Sequence, residues 1–118
     1  ALYQILGGSL QHIEYSAEIG MEHNLGLTCD PVEGFVQIPC IERNMTASLR
    51  AFESASFSLL TDGHHLVSFD DAVEVMYRTG HDLQSAYRET AQGGLASLWR
   101  KRVHQERAKA AGGQGSGC

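Results

Sequence analysis

Residues 39–60 read PCIERNMTASLRAFESASFSLL, and in this stretch Ile41, Met45, Leu49, Phe52, Ala55 and Leu59 recur at intervals of three and four. That spacing stacks side chains on one face of an α-helix, and Pro39 stands where proline is tolerated, at a helix start. The stretch is the strongest helical signal in the chain, and the elements on either side agree with it. Upstream, Ser9 is placed to cap a helix from about Leu10 to His23, with Ile13, Ala17 and Met21 on one face and Glu14, Glu18 and Glu22 on another. Downstream, Thr61-Asp62-Gly63 ends the long helix. Ser68-Phe69-Asp70-Asp71 then reads as a capping box opening a helix to Gly80, with Leu83, Ala86 and Tyr87 continuing in register. Gly93-Gly94 interrupts, and a last helix from about Leu95 to Ala111 is expected to turn Leu95, Leu98, Trp99 and Val103 inward. Only residues 35–38 alternate with period two, too short a run to found a sheet. The expectation is an all-α fold of four to five helices over residues 1–111, followed by a flexible Gly-rich tail at 112–118.

Between the first two helices lie about sixteen residues broken by Asn24, Gly26, Asp30, Pro31, Gly34 and Pro39. Leu25, Leu27, Val32, Phe35, Val36 and Ile38 make this loop unusually apolar, so it is expected to be buried and to exist for a site.

The chain has 118 residues and a formal charge of -5, with 42% hydrophobic and 19% charged residues, the composition of one globular domain. No apolar run approaches the ~20 residues that span a bilayer, so a membrane role is not expected. The charge is asymmetric: residues 1–99 hold 4 basic and 13 acidic groups, while 100–118 hold 5 basic residues and one acid, Glu106. The acidic part argues against a polyanion partner. Arg100, Lys101, Arg102, Arg107 and Lys109 lack the aromatic interleaving of a nucleic-acid site and read as a solvated helix face.

Three cysteines, Cys29, Cys40 and Cys118, cannot all pair within one chain, and no secretory signal precedes them. The expectation is a reducing compartment, with cytoplasm as the default. Ten residues separate Cys29 from Cys40, enough slack for both thiols to converge, and Cys40 stands at a helix start, where the dipole favours thiolate. Thiolates bind zinc, copper(I) and iron–sulfur clusters, and the spacing is equally compatible with two unrelated buried thiols. His23 is the nearest further ligand for a zinc site. His64 and His65 adjoin a turn and read as solvated or capping groups.

The run AEIGMEHNLGLTCDP at 17–31, followed by VQIPCIERN at 36–44, resembles the iron–sulfur-dependent bacterial L-serine dehydratases. MYRTG at 76–80, YRET at 87–90 and GGLA at 93–96 extend the resemblance over about residues 7 to 96. It implies a mostly helical catalytic α domain and an L-serine ammonia-lyase activity in amino-acid degradation that feeds gluconeogenesis. It also implies a [4Fe-4S] cluster held by three cysteines, with one iron open as a Lewis acid toward the serine hydroxyl. Cys29 and Cys40 match two of those cysteines. The third belongs upstream, so the chain resembles the C-terminal portion of the domain, inactive alone, with L-serine and the rest of the dehydratase chain or its β domain as partners. A homo-oligomer is compatible with this reading. Cys118 corresponds to a terminal cysteine found in some members, although a basic helix and a Gly-rich linker intervene here.

Asn24, Thr28, Arg43 and Asn44 flank the two matched cysteines and can hydrogen-bond a carboxylate or ammonium. They are candidates for lining a serine pocket, with bracing of the loop as the alternative role. From the residues alone, a small helical zinc module using His23, Cys29 and Cys40, or a metal-free interaction domain with inert thiols, stays open.

Overall fold

The computed structural model describes residues 2–112, and among them the regular elements are helices. These are α1 (Leu2–Ile5), α2 (Leu10–Glu22), α3 (Cys40–Leu59), α4 (Phe69–Asp82) and α5 (Gly94–Gly112), with 3-10 turns at Val32–Gly34 and Ser85–Tyr87. The all-α expectation holds. Cys118 and the expected tail lie outside the described residues, except that Gly112 closes α5. The helical register expected through Ala86 and Tyr87 is instead an isolated 3-10 turn, because α4 ends at Asp82 and the extended backbone of its cap, Leu83, stops the ladder.

The chain forms two compact units. The first joins the described residues up to Leu27 with Glu42–Leu83. Ser9 caps α2 by accepting the His12 N–H at 3.3 Å. The same histidine ties α2 to the turn after α3. Its Nε2 donates to the Thr61 carbonyl at 3.1 Å, and the fully buried Ser58 hydroxyl donates to the His12 carbonyl at 3.0 Å. Gly63 lies beside the His12 ring with φ +84°, a left-handed conformation that favours glycine there. α4 packs on α2 and opens with the expected capping box: Asp71 N–H donates to Ser68 Oγ at 3.1 Å, and the Asp71 carboxylate accepts from the Ser68 N–H and hydroxyl.

The second unit joins Thr28–Ile41 with residues 84–112. Here the Val32–Gly34 turn packs on α5. Asp30, only 2% exposed, accepts the Leu95 N–H at 2.6 Å and so satisfies one of the orphan donors that begin α5. Glycine is required where the two segments meet. A Cβ on Gly94 would lie 2.1 Å from Asp30 Oδ2, and one on Gly93 would lie 2.2 Å from the Ala86 carbonyl oxygen.

Burial departs from the sequence expectation in two places. The apolar loop is not buried: Pro31 and Pro39 are, but Leu27, Phe35, Val36 and Ile38 are exposed, and both cysteines are half-buried. A 3-10 turn and a Val32 N–H bond to the Ile38 carbonyl at 2.8 Å satisfy the loop backbone locally, so its side chains need no cover. α5 likewise buries Ala96 while Leu95, Leu98 and Trp99 stay more than two-fifths exposed. Among the described residues the buried apolar side chains besides Pro31 and Pro39 are small ones, Ala55, Ala72 and Ala96.

Candidate functional site

The two cysteines belong to the second unit and bracket its loop. Cys29 is anchored through its backbone, whose N–H donates to the Tyr87 carbonyl at 3.0 Å, and the neighbouring Thr28 hydroxyl donates to the same oxygen at 2.9 Å. Cys40 is the first residue of α3, and the Ile38–Pro39 peptide before it is cis. Neither cysteine is in a disulfide. Trp99 Nε1 donates to Glu33 Oε1 at 3.4 Å, a further tie between the loop and α5. Two thiols are two soft donors, the chemistry that suits a thiophilic metal or cluster. Among the described residues, however, no group of three or more His, Cys, Asp or Glu is placed to hold a metal ion. The donor type therefore fits a cluster, while the ligand set is partial.

The other predicted site residues divide into two kinds. His23 and Asn24 fold back on α2: His23 Nδ1 donates to the Ile19 carbonyl and Asn24 Nδ2 to the Gly20 carbonyl, both at 2.7 Å. With Thr28 on Tyr87, three of these polar groups thus close the end of α2 and the loop backbone. Arg43 and Asn44 lie exposed in the first turns of α3, where the Asn44 carbonyl accepts from Ser48 Oγ at 2.9 Å.

A second constellation lies within the first unit. A cleft of about 420 Å³ is lined by Tyr15, Glu18, Glu22, His23, Arg50, Glu53, Ser54 and His65, with further apolar residues. Glu18 is 3% exposed, and its pKa is raised from 4.5 to about 7. Loss of hydration is the largest cause, a hydrogen bond with Glu22 and the Glu22 charge add to it, and His65 opposes it. His65 Nδ1 stands 4.0 Å from Glu18 Oε2. The ring stacks on Tyr15 with centroids 4.7 Å apart and planes 4° apart. Its Nδ1 bonds the Val67 carbonyl, which can only accept, so Nδ1 carries the hydrogen. Glu18 is thus a carboxyl able to hold a proton near neutrality beside an imidazole of fixed tautomer.

Sequence reasoning missed both members. Glu18 read as one of three acids on a polar helix face, and His65 read as a solvated turn residue. The spacing of Glu14, Glu18 and Glu22 carries no signal of which one turns inward. The only local clue to His65 is the aromatic partner fifty positions away, which no window reaches.

The profile of the family described as serine dehydratase alpha chain matches residues 1–96. The L-serine dehydratase of Streptomyces coelicolor is 56% identical over 96 residues, covering 81% of this chain and 21% of the relative. L-serine dehydratase 1 of Escherichia coli is 55% identical over 95 residues, and that of Helicobacter pylori 44% over 95, each covering 80% of this chain and 21% of the relative. The chain therefore spans about a fifth of the length of the curated relatives it matches. Both cysteines, the loop between them and the Glu18 cleft all fall inside the matched stretch, and by that match the chain belongs to the serine dehydratase alpha chain family.

Proposed function

We propose that this chain forms part of the catalytic unit of an L-serine dehydratase, which converts L-serine to pyruvate and ammonia. Cys29 and Cys40 supply two of the thiolates that hold a [4Fe-4S] cluster in the assembled enzyme. The observation that carries the reading is 56% identity to an L-serine dehydratase across the stretch that holds both cysteines. Two thiols outside any disulfide at the ends of one loop, with no third donor grouped beside them among the described residues, suit a site completed by other parts of the protein. When bound, a cluster with an open iron supplies Lewis-acid assistance to the departure of hydroxide, a poor leaving group.

The chain's own residues do the positioning. The Tyr87 carbonyl anchors Cys29 and Thr28 together, and Asp30 locks the following turn to the start of α5, so one end of the loop is held by three hydrogen bonds at two anchor points. Arg43 and Asn44, exposed next to Cys40, are the donors we assign to the serine carboxylate, while Asn24 and Thr28 brace α2 and the loop. The remaining cluster ligand is assigned to the rest of the assembly.

The test is anaerobic iron–sulfur reconstitution of a chimera in which this chain replaces the matching segment of the Streptomyces coelicolor relative. Iron, acid-labile sulfide and pyruvate are measured. Cys29→Ala and Cys40→Ala should each remove sulfide and turnover. Full sulfide and activity in either variant would refute the ligand assignment, and zinc at one per chain without sulfide would refute the cluster.

A further inference from the structure

Among the described residues, α3 buries a face of small side chains and leaves a second, apolar face uncovered. Its buried face is small, Ser54, Ala55 and Ser58. Its large apolar residues, Ile41, Met45, Leu49 and Phe52, are 58–65% exposed, and Leu59 extends the same row. At about 100° per residue these five side chains fall within an arc of about 80°, a single stripe along the helix, well away from the centre of the buried face. Ser56 lies inside that arc and Ser48 just outside its edge, and both leave dips beside the large side chains. Glu42, Thr46 and Glu53 border the stripe on one side, and the small residues Ala47 and Ala51 lie beyond Ser48 on the other. Large side chains separated by small ones, with one charged margin, form the ridge-and-groove surface that receives another helix. Scattered exposed apolar residues are ordinary on proteins, but a contiguous row of this kind marks an interface.

We propose that this stripe is the docking surface for an amphipathic helix supplied by the remainder of the dehydratase polypeptide. The inference rests on the reading that the chain works within a larger dehydratase. The occupant follows from two observations. The stripe lies wholly inside residues 1–96, the part shared with relatives that carry about four-fifths of their length outside the match. It also begins at Ile41, directly after Cys40, so whatever covers it borders a cysteine whose ligand set is partial here. A second copy of this chain would cover the apolar row but bring only the same incomplete set of donors.

The experiment introduces Leu49→Cys, and separately Phe52→Cys, into the chain alone and into the Streptomyces coelicolor chimera, and follows maleimide labelling of each site by peptide mass spectrometry. Both positions are exposed, so neither change disturbs a packed side chain. Docking predicts fast labelling in the chain alone and labelling slowed roughly tenfold or more in the chimera, where reaction waits on local opening. Equal rates at both positions in the two contexts would overturn the proposal. So would protection in the chain alone that disappears on dilution, which would assign the stripe to a second copy. Pyruvate formation by the chimera without added cysteines separates the two readings. Protection without turnover leaves the docking surface standing and counts against the dehydratase assignment, and turnover without protection does the reverse.

Discussion

Replacing Glu18 with Gln tests the physical account of the cleft, because glutamine keeps the size and a neutral hydrogen-bonding head while removing the ability to ionise. The carboxyl is nearly inaccessible and faces Glu22 from its own helix and His65 from the segment between α3 and α4. A rise in pKa from 4.5 to about 7 corresponds to about 3 kcal/mol of differential cost for the ionised form, at ~1.4 kcal/mol per tenfold change in proton affinity. The folded state binds the proton more tightly than the unfolded chain, so this contribution is fully present below pH 4.5 and is lost as pH rises through about 7. The wild-type chain should therefore lose stability between pH 5 and pH 8, whereas Glu18→Gln should show little slope. The variant should be within about 1 kcal/mol of wild type at the acid end and up to about 3 kcal/mol more stable at the alkaline end. Urea unfolding read through amide exchange in α2 measures the difference, and carbon NMR of the Glu18 carboxyl gives the midpoint directly. A midpoint near 4.5, or an equal pH slope in wild type and Glu18→Gln, would refute the reasoning.

Four further outcomes follow from the geometry. Gly93→Ala should destabilise the second unit by about 1–3 kcal/mol, because its methyl meets the Ala86 backbone carbonyl rather than a side chain that can swing away. Gly80→Ala, which meets nothing within 4 Å inside α4, should instead stabilise by about 0.5–1 kcal/mol, and thermal melts of the pair give both signs. Asp30→Ala should cost about 1–3 kcal/mol by stranding the Leu95 N–H, with Asp30→Asn recovering part of it; exchange of the Leu95 amide reports both. Asp71, held below its usual range by the Ser68 hydroxyl and N–H, should support the first turn of α4 above pH 3.8 and release it as pH falls further, seen as faster amide exchange there and absent in Ser68→Ala.

The helices were legible because their signals are local. Periodicity located α3 from Cys40 to Leu59, and the Ser68 box located the start of α4 to the residue. What covers a face was not legible. The row from Ile41 to Leu59 announces an apolar side, but whether that side meets this chain or other protein depends on residues the row does not contain. Ser54 and Ser58 pack inward because close helix contacts select small side chains, which hydrophobic patterning counts as polar. Asp30 read as a loop breaker, since its partner, the Leu95 amide, belongs to a helix far downstream. Within the candidate site the two cysteines stood out by chemistry alone, whereas the roles of His23, Asn24 and Thr28 came down to which carbonyl oxygens lay in reach.

The bond from Leu95 to Asp30 spans 65 positions of sequence, and that separation sets an order of events during synthesis. A ribosome adding about 5–20 residues per second needs roughly 3–13 s to travel from Asp30 to Leu95. For that interval the cysteine-bearing loop has left or is leaving the ribosome with neither Tyr87 nor Leu95 to fasten it. Its thiols are born on loose chain and are drawn into place late, when the Gly93-Gly94 corner emerges and closes on Ala86 and Asp30.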